Sequence, residues 1–171
     1  MKYRLLSVIA LSISLTCLSI PLIEQPSWGQ SNQQTQINQL IQQSREQARQ
    51  GEPSKAIETL KQLLAIVQQE NNKELEAWTF LGLGFNHNQI QEYPQALESY
   101  QQALTTYQEI NNSTGVATSL SNIGNVYLDM GKAAKAIDYY QQALKIFTDI
   151  GDSSGVERTQ NNINEVNERL R

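Results

Sequence analysis

The amino-acid sequence predicts an all-α fold, an α-solenoid of about three helix-turn-helix repeats that ends in a C-terminal capping helix. Three observations lead to this prediction. Similar segments recur at a spacing of 40 residues, the apolar residues within a segment follow one face of an α-helix, and glycine or asparagine recurs where the segments end. Because one helix pair leaves an apolar face uncovered, such pairs must stack to form a continuous core.

The N-terminal segment differs from the rest and has the three regions of a secretory signal peptide. The chain begins with two basic residues, an apolar run follows over 5–20, and Ser27 and Gly29 supply the small residues of a cleavage site. We therefore expect residues 1–29 to be removed and the protein to be periplasmic or secreted. The alternative is an uncleaved membrane anchor, although this apolar run is shorter than the roughly 20 residues that span a bilayer.

Removal of this segment would leave a more acidic chain without cysteine. The net charge would change from −4 to −5, because Lys2, Arg4 and Glu24 are lost. An acidic chain lacks the basic face that nucleic acid requires, so no nucleic-acid partner is expected. The only cysteine, Cys17, would be lost as well, so no disulfide would hold the fold together. No membrane span is expected in the mature chain.

The repeats define the domain organisation. A short flexible segment is expected at residues 30–36 and a repeat domain at 37–171. Within this domain the predicted repeats cover about 37–72, 73–112 and 113–152, and the capping helix covers 153–171. The predicted helices cover residues 34–50, 53–70, 73–90, 93–110, 113–130, 133–150 and 154–170.

The breaks between the predicted helices contain residues that favour helix ends. Glycine readily adopts the left-handed conformation that follows a helix, and proline is tolerated in the first turn of the next one. The first helix of each pair is predicted to end at Gly51, Gln91 and Gly131. The second is predicted to end at Asn71 and Asn72, at Asn111 and Asn112, and at Gly151 and Asp152. Pro53 and Pro94 lie near the start of two second helices.

Small and aromatic residues indicate how the two helices of a repeat pack. In the third repeat, Gly124 lies on the buried face of the first helix, and Ala136 and Ala143 lie on the buried face of the second. Small side chains at these positions allow helix axes to approach to about 8–10 Å. Tyr140 and Phe147 are expected to fill the space between neighbouring repeats.

These residues resemble the tetratricopeptide repeat (TPR), which combines a small residue in its first helix with alanine, an aromatic residue and alanine in its second. The matching residues are Leu120, Ile123, Gly124, Tyr127, Ala136, Tyr140 and Ala143 in the third repeat, and Phe80, Leu83, Gly84, Ala96, Tyr100 and Ala103 in the second. The first repeat departs from the pattern, with Ser44 in place of the glycine. The 40-residue period is similar to that of the subtype in kinesin light chains and animal spindle-orientation adaptors, and to exported repeat proteins of photosynthetic bacteria.

The resemblance implies a concave groove that binds an extended or helical peptide. In the animal adaptors, an Asn-Leu-Gly-Asn stretch places asparagines in this groove, and residues 122–125 match that stretch here. Asparagine amides can bond to a peptide backbone, and Arg158 could pair with a carboxylate. The candidate groove residues are Trp78, Leu81, Phe85, Asn88, Ser121, Asn122, Asn125, Arg158 and Asn162, with Asn38, Ile41, Arg45 and Thr118 at neighbouring positions. Two alternatives remain: the polar positions form a solvated face, or the apolar strip packs on the first helix.

The sequence offers no set of residues for catalysis or for metal binding. The single histidine, His87, occupies a buried aromatic position of the repeat, which favours a role in core packing. Asp149, Asp152 and Glu157 do not have the spacing of a calcium loop, and we interpret them as turn and capping residues. We therefore expect no enzyme activity, no cofactor and no metal.

The sequence thus favours a non-catalytic interaction module or scaffold that binds a protein or peptide. The alternative is a structural subunit that self-associates by stacking through its repeat ends, or that belongs to an envelope assembly. The glutamine-rich first helix is the candidate for such an open end.

Overall fold

The computed structural model describes residues 27–170, with side chains from residue 32 onwards. This part of the chain forms seven α-helices and contains no β-strand, which confirms the predicted all-α solenoid. The helices are α1 (Ser27–Arg49), α2 (Pro53–Gln69), α3 (Lys73–Gln89), α4 (Tyr93–Glu109), α5 (Ser113–Asp129), α6 (Ala133–Asp149) and α7 (Ser153–Arg169). Residues 1–26 of the predicted signal peptide lie outside the described part of the chain.

Helices α2 to α7 begin and end within one residue of their predicted bounds, whereas α1 begins earlier than expected. The predicted start was residue 34, but the helix begins at Ser27 and includes the segment 30–36 that was expected to be flexible. Neither proline nor glycine interrupts this glutamine-rich stretch, and glutamine is favourable in helices, so the sequence contains no stop signal. The first buried side chain among the described residues is Ile37, so the added turns precede the core.

All six turns have the same geometry. In the first, the Glu52 amide donates to the Gln47 carbonyl at 2.9 Å and the Gly51 amide donates to the Ala48 carbonyl at 3.2 Å, which is the Schellman arrangement. The residue in the left-handed conformation recurs every 20 residues, at Gly51, Asn71, Gln91, Asn111, Gly131 and Gly151. Helices of 17 residues and turns of three residues therefore alternate from α2 to α7.

The helices α3, α5 and α7 have side-chain N-caps. The side chains of Asn72, Asn112 and Asp152 accept hydrogen bonds from backbone amides one turn into α3, α5 and α7, at 2.8–3.1 Å. This confirms Asp152 as a capping residue. Each cap residue also donates its own amide to the preceding Schellman turn, so one residue ends a repeat and begins the next.

Glycine brings the two helices of a repeat together, as predicted. A Cβ atom on Gly124 would lie 2.7 Å from the Tyr140 ring, and one on Gly84 would lie 2.7 Å from the Tyr100 ring. Ala136, Tyr140 and Ala143 are fully buried on the facing helix. The close approach of α3 to α4 and of α5 to α6 therefore depends on the absence of a side chain at two positions.

Both ends of the stack present polar side chains. On α1, the 40-residue offset places Gln36, Gln39 and Gln43 where α3 carries Glu76, Thr79 and Leu83 against α2, and all three glutamines are exposed. On α7, Gln160, Asn164 and Asn167 are exposed where α5 carries Leu120, Gly124 and Tyr127 against α6. None of the described helices combines the length and apolar character that a membrane span requires.

Candidate functional site

The first helices of the repeats form the inner wall of the solenoid. Helix α3 contacts α5 and α5 contacts α7, whereas the second helices α2, α4 and α6 make no comparable contacts with one another. Side chains three or four residues apart share a helix face, so positions 118, 121, 122 and 125 of α5 face the equivalent stripe on α7. The wall formed by α1, α3, α5 and α7 is therefore concave.

A polar pocket of about 550 Å³ lies between α5 and α7 on this wall. Five of the nine predicted groove residues lie here together, namely Ser121, Asn122, Asn125, Arg158 and Asn162. Thr118, Phe147, Thr159 and Asn161 complete the lining. Thr159 and Asn161 were not among the predicted residues, although Asn161 lies one repeat after Ser121 and the 40-residue offset could have found it.

Asn125 is held in one orientation by a tyrosine from the facing helix. The Tyr140 hydroxyl donates to Asn125 Oδ1 at 2.6 Å, and Asn162 Nδ2 lies 3.5 Å from the same oxygen. The carbonyl side of the Asn125 amide is therefore engaged within the protein, which leaves its NH₂ group as the donor for a ligand. The sequence predicted Asn125 as a groove residue but assigned Tyr140 only to packing.

The polar pocket carries one charged side chain, Arg158, and no carboxylate. Arg158 is exposed and forms no ion pair with another residue of the described chain. Its charge helps to lower the pKa of Asp152, although the hydrogen bond from the Gly155 amide is the main cause of that shift. The pocket therefore combines N–H donors with one positive charge, a set of groups that favours a ligand rich in hydrogen-bond acceptors.

The predicted apolar strip lies at a second site, which we call the apolar slot. This cavity of about 400 Å³ lies between α1 and α3. It is lined by Ser44, Arg45, Ala48, Arg49, Leu60, Trp78, Leu81, Gly82, Phe85 and Asn86. The Arg45 guanidinium lies 5.2 Å from the centre of the Trp78 ring, so the strip packs partly on α1, while Phe85 remains 49% exposed.

Asn88 joins neither of these two cavities. Its Nδ2 donates to Asp129 Oδ2 at 2.7 Å, which links the end of α3 to the end of α5. It lines a separate polar cavity of about 370 Å³ near the turn between α3 and α4. The nine predicted residues thus divide into a polar pocket, an apolar slot and one inter-repeat hydrogen bond.

His87 is buried and has a structural partner. Its Nδ1 lies 2.6 Å from a carboxylate oxygen of Glu92, the residue that precedes α4. This contact joins α3 to the following turn, in agreement with the predicted packing role. Across residues 27–170, no group of three or more histidine, cysteine, aspartate or glutamate side chains is arranged to hold a metal ion.

The fold and the concave wall define a helical-repeat protein, and comparison with family models identifies the repeat. The model described as tetratricopeptide repeat matches residues 46–109, 75–149 and 115–169, which together cover most of the chain. The chain belongs to the tetratricopeptide repeat family. A comparison with curated proteins finds no match.

Solved structures with the same fold are distant in sequence. The TPR domain of Arabidopsis FLU is 19% identical, with a TM-score of 0.62 over 66% of this chain and 95% of that one. PcrH, solved in complex with the chaperone binding region of PopD, is 19% identical, with a TM-score of 0.63 over 81% and 96% of the two chains. A putative kinesin light chain from Podosopora anserina with nearly identical TPR-like repeats is 15% identical, with a TM-score of 0.64 over 76% and 64%. At these identities the likeness extends to the fold alone.

Proposed function

We propose that the mature chain is an exported, non-catalytic protein-binding module that holds a peptide segment of a partner protein against its concave wall. The polar pocket carries this proposal. It places an arginine without an ionic partner beside an asparagine whose amide is already oriented, in a cavity of about 550 Å³. A peptide offers backbone carbonyls and carboxylates, which are the acceptors that these two groups require.

The charge of the chain supports an acidic peptide segment. The protein carries a net charge of −4, so a positive, carboxylate-free patch on the concave wall contrasts with the protein as a whole. The likeness to PcrH, which was solved with a segment of PopD, supports the broader assignment to protein binding.

The polar ends of the stack argue against the alternative function, self-assembly by end-to-end stacking. An end that accepts another copy needs an apolar face, whereas the outer faces of α1 and α7 carry exposed glutamine and asparagine side chains at Gln36, Gln39, Gln43, Gln160, Asn164 and Asn167. We therefore favour a closed module with a free groove over a polymerising subunit. Size-exclusion chromatography across a concentration series separates the two, because a constant monomer mass is expected for the closed module.

The groove is tested with variants that keep the fold intact. A pull-down from envelope extract with the mature chain as bait supplies the partner, and affinities are then measured for Asn125→Asp, Arg158→Ala and Gln142→Ala. Asn125→Asp keeps an acceptor for the Tyr140 hydroxyl but replaces the NH₂ donor with a negative charge. Each neutral hydrogen bond lost from a bound peptide should cost about 0.5–1.5 kcal/mol. The contribution of Arg158 should also decrease as salt concentration rises.

Gln142 is the control, because it is exposed on α6 and bonds to a carbonyl of its own helix. If Gln142→Ala weakens binding and the two pocket variants do not, the partner binds the outer face and the groove proposal is wrong.

Export is tested separately. The charged start, apolar run and small residues of the N-terminal segment motivate cleavage after Gly29. The intact mass of the protein from its native host should correspond to a chain that begins at Gln30. Retention of Met1 in a cytosolic protein would contradict export.

A further inference from the structure

The predicted cleavage site leaves a reactive residue at the start of the mature chain. Cleavage after Gly29 makes Gln30 the N-terminal residue, so a free α-amine and a side-chain amide then belong to the same residue. The amine of a glutamine can reach its own side-chain carbonyl carbon by closing a five-membered ring. Because both groups are held within one residue, their reaction is intramolecular and needs no binding step.

The repeat does not require Gln30 for its core. The 40-residue offset places Asn32 at the position of the three side-chain N-caps of α3, α5 and α7. Residues 30 and 31 therefore precede the part of α1 that corresponds to the other first helices. Asn32 is exposed, and the first buried side chain among the described residues is that of Ile37. A change to the covalent structure of Gln30 should therefore leave the packing of the repeats intact.

The positive charge of a free amine would be unfavourable at this end of α1. The first backbone amides of a helix have no carbonyl acceptor within it and give its N-terminus a partial positive charge. Helix α1 has no acidic residue in its first turn. The first carboxylate of the mature chain is that of Glu46, which lies about four helical turns further along. A neutral N-terminal group therefore suits α1 better than an ammonium group.

We propose that Gln30 of the exported chain cyclises to pyroglutamate, so that the mature protein carries a neutral lactam at its N-terminus. The α-amino nitrogen attacks the side-chain carbonyl carbon and forms a bond from N to Cδ. The bond from Cδ to Nε2 breaks, and Nε2 leaves as ammonia with one proton from the amine. The pKa of an α-amino group is only slightly above neutral pH, so part of the amine is present as the neutral nucleophile.

This inference rests on the proposed export, because only cleavage after Gly29 exposes the amine of Gln30. The step itself needs no oxidant, reductant or second substrate. Its expected consequence is the loss of one positive charge and of one molecule of ammonia from each mature chain.

The test is the intact mass of the protein isolated from its native host, measured without proteolytic digestion. We expect a mass that is lower, by one molecule of ammonia, than that of a chain with an unmodified Gln30. Treatment with pyroglutamyl peptidase, which removes an N-terminal pyroglutamate, should then give a chain that begins at Ser31. The peptidase is needed because an asparagine elsewhere in the chain also loses ammonia when it forms a succinimide.

Gln30→Asn is the matched control. Its side chain keeps the amide but is one methylene shorter, so the equivalent attack would have to close a strained four-membered ring. The variant, produced in the same host, should begin at residue 30 with its full mass and should resist the peptidase. Loss of ammonia and peptidase sensitivity in this variant as well would overturn the assignment to Gln30.

The possible masses separate this inference from the proposed export. A chain that begins at Gln30 with its full mass is consistent with export and overturns cyclisation, as does an exported chain that begins at another residue. A chain that retains Met1 overturns both.

Discussion

At the residue scale, the chain matches the sizes of two residues that lie eight positions apart across each turn between repeats. Gly115 and Gly155 are so close to the rings of Tyr107 and Phe147 that a Cβ atom would overlap them. At the turn between the first and second repeats the order of sizes is reversed, because the smaller Val67 lies eight residues before the larger Leu75. A large residue at the end of one repeat thus goes with glycine at the start of the next, and a smaller residue goes with leucine. The 40-residue alignment of the sequence contains this signal, since Val67, Tyr107 and Phe147 share one position and Leu75, Gly115 and Gly155 share another.

The first prediction follows from this exchange. Gly115→Leu should destabilise the protein by about 1–3 kcal/mol, because the new side chain meets the Tyr107 ring. Adding Tyr107→Val, which recreates the pair formed by Val67 and Leu75, should recover part of that loss. Urea unfolding of the single and double variants should give a coupling energy of about 0.5–3 kcal/mol.

Gln101→Ala, on the exposed face of α4, is the control and should change stability by no more than about 0.5 kcal/mol. Strictly additive effects of the two substitutions would show that the residues do not share this contact.

Tyrosine hydroxyls give the fold a dependence on alkaline pH. Burial raises the pKa of Tyr107 to about 12, and the charge of Glu74 adds to this effect. Burial likewise raises the pKa of Tyr140 to about 12, with a smaller contribution from Asp129. The unfolded value is 10.0, so the folded state holds these protons more tightly. The resulting stabilisation is complete below pH 10 and is lost as the pH rises through about 12.

The second prediction is therefore that the urea midpoint falls as the pH is raised above 10. Tyr140→Phe should be less stable at neutral pH, because Asn125 loses its hydrogen-bond donor, but should show a smaller decrease between pH 10 and pH 12. Absorbance titration of the folded protein should detect tyrosines that ionise only near pH 12. If all tyrosines ionise near pH 10 while the protein remains folded, the buried hydroxyls are accessible and the prediction is wrong.

At the element scale, the unit is one helix and one turn of 20 residues. Helix bounds could be predicted to within one residue from α2 onwards, because glycine or asparagine occupies five of the six turns and the 40-residue offset places the remaining turn at Gln91. The start of α1 could not be predicted in this way, because residues 30–36 contain no glycine or proline that would end or begin a helix. The same regularity placed five groove residues in one pocket, because an offset of 40 residues corresponds to a step between adjacent first helices.

What the repeat pattern could not predict are contacts that only one repeat makes. The hydrogen bond from Tyr140 to Asn125 has no equivalent in the second repeat. There Tyr100 corresponds to Tyr140, but Phe85 occupies the position of Asn125 and has no side-chain acceptor. The bond from Asn88 to Asp129 joins residues 41 positions apart and depends on the rotamers of both. Such pairs require coordinates, since periodicity gives the helix face of a residue but not its hydrogen-bond partner.

The third prediction concerns the one turn whose left-handed residue is neither glycine nor asparagine. Gln91 has φ of 62°, a conformation that costs an ordinary L-residue about 1–2 kcal/mol. Gln91→Gly should therefore stabilise the protein by about 1 kcal/mol, after allowance for the added freedom of the unfolded chain. Gln101→Gly, in the exposed middle of α4, should change stability by a similar amount in the opposite direction. Thermal melts that shift in the same direction for both variants would contradict the Schellman geometry.

At the scale of the whole molecule, the two kinds of surface have different roles. The concave wall carries unpaired donors, unpaired arginines and a half-exposed aromatic ring, which are groups that a ligand can satisfy. The end faces of the described stack carry exposed amide side chains, namely Gln36, Gln39 and Gln43 on α1 and Gln160, Asn164 and Asn167 on α7. The described helices therefore present two kinds of surface, polar end faces and a concave wall with groups that are available to a ligand.

The last prediction concerns the polar end face of α7. Gln160→Leu, Asn164→Gly and Asn167→Tyr together give α7 the residues that α5 presents to α6. The triple variant would expose an apolar face that lacks its partner helix, and two copies could cover it by pairing through the same face. Size-exclusion chromatography with light scattering should show a mass that rises towards that of a dimer with concentration, while the wild type remains a monomer. A variant with Gln101→Leu and Gln141→Leu adds apolar area on exposed second-helix positions and should stay monomeric. If the triple variant also stays monomeric, or if the wild type itself gains mass, then polar residues on α7 are not what limits the length of the stack.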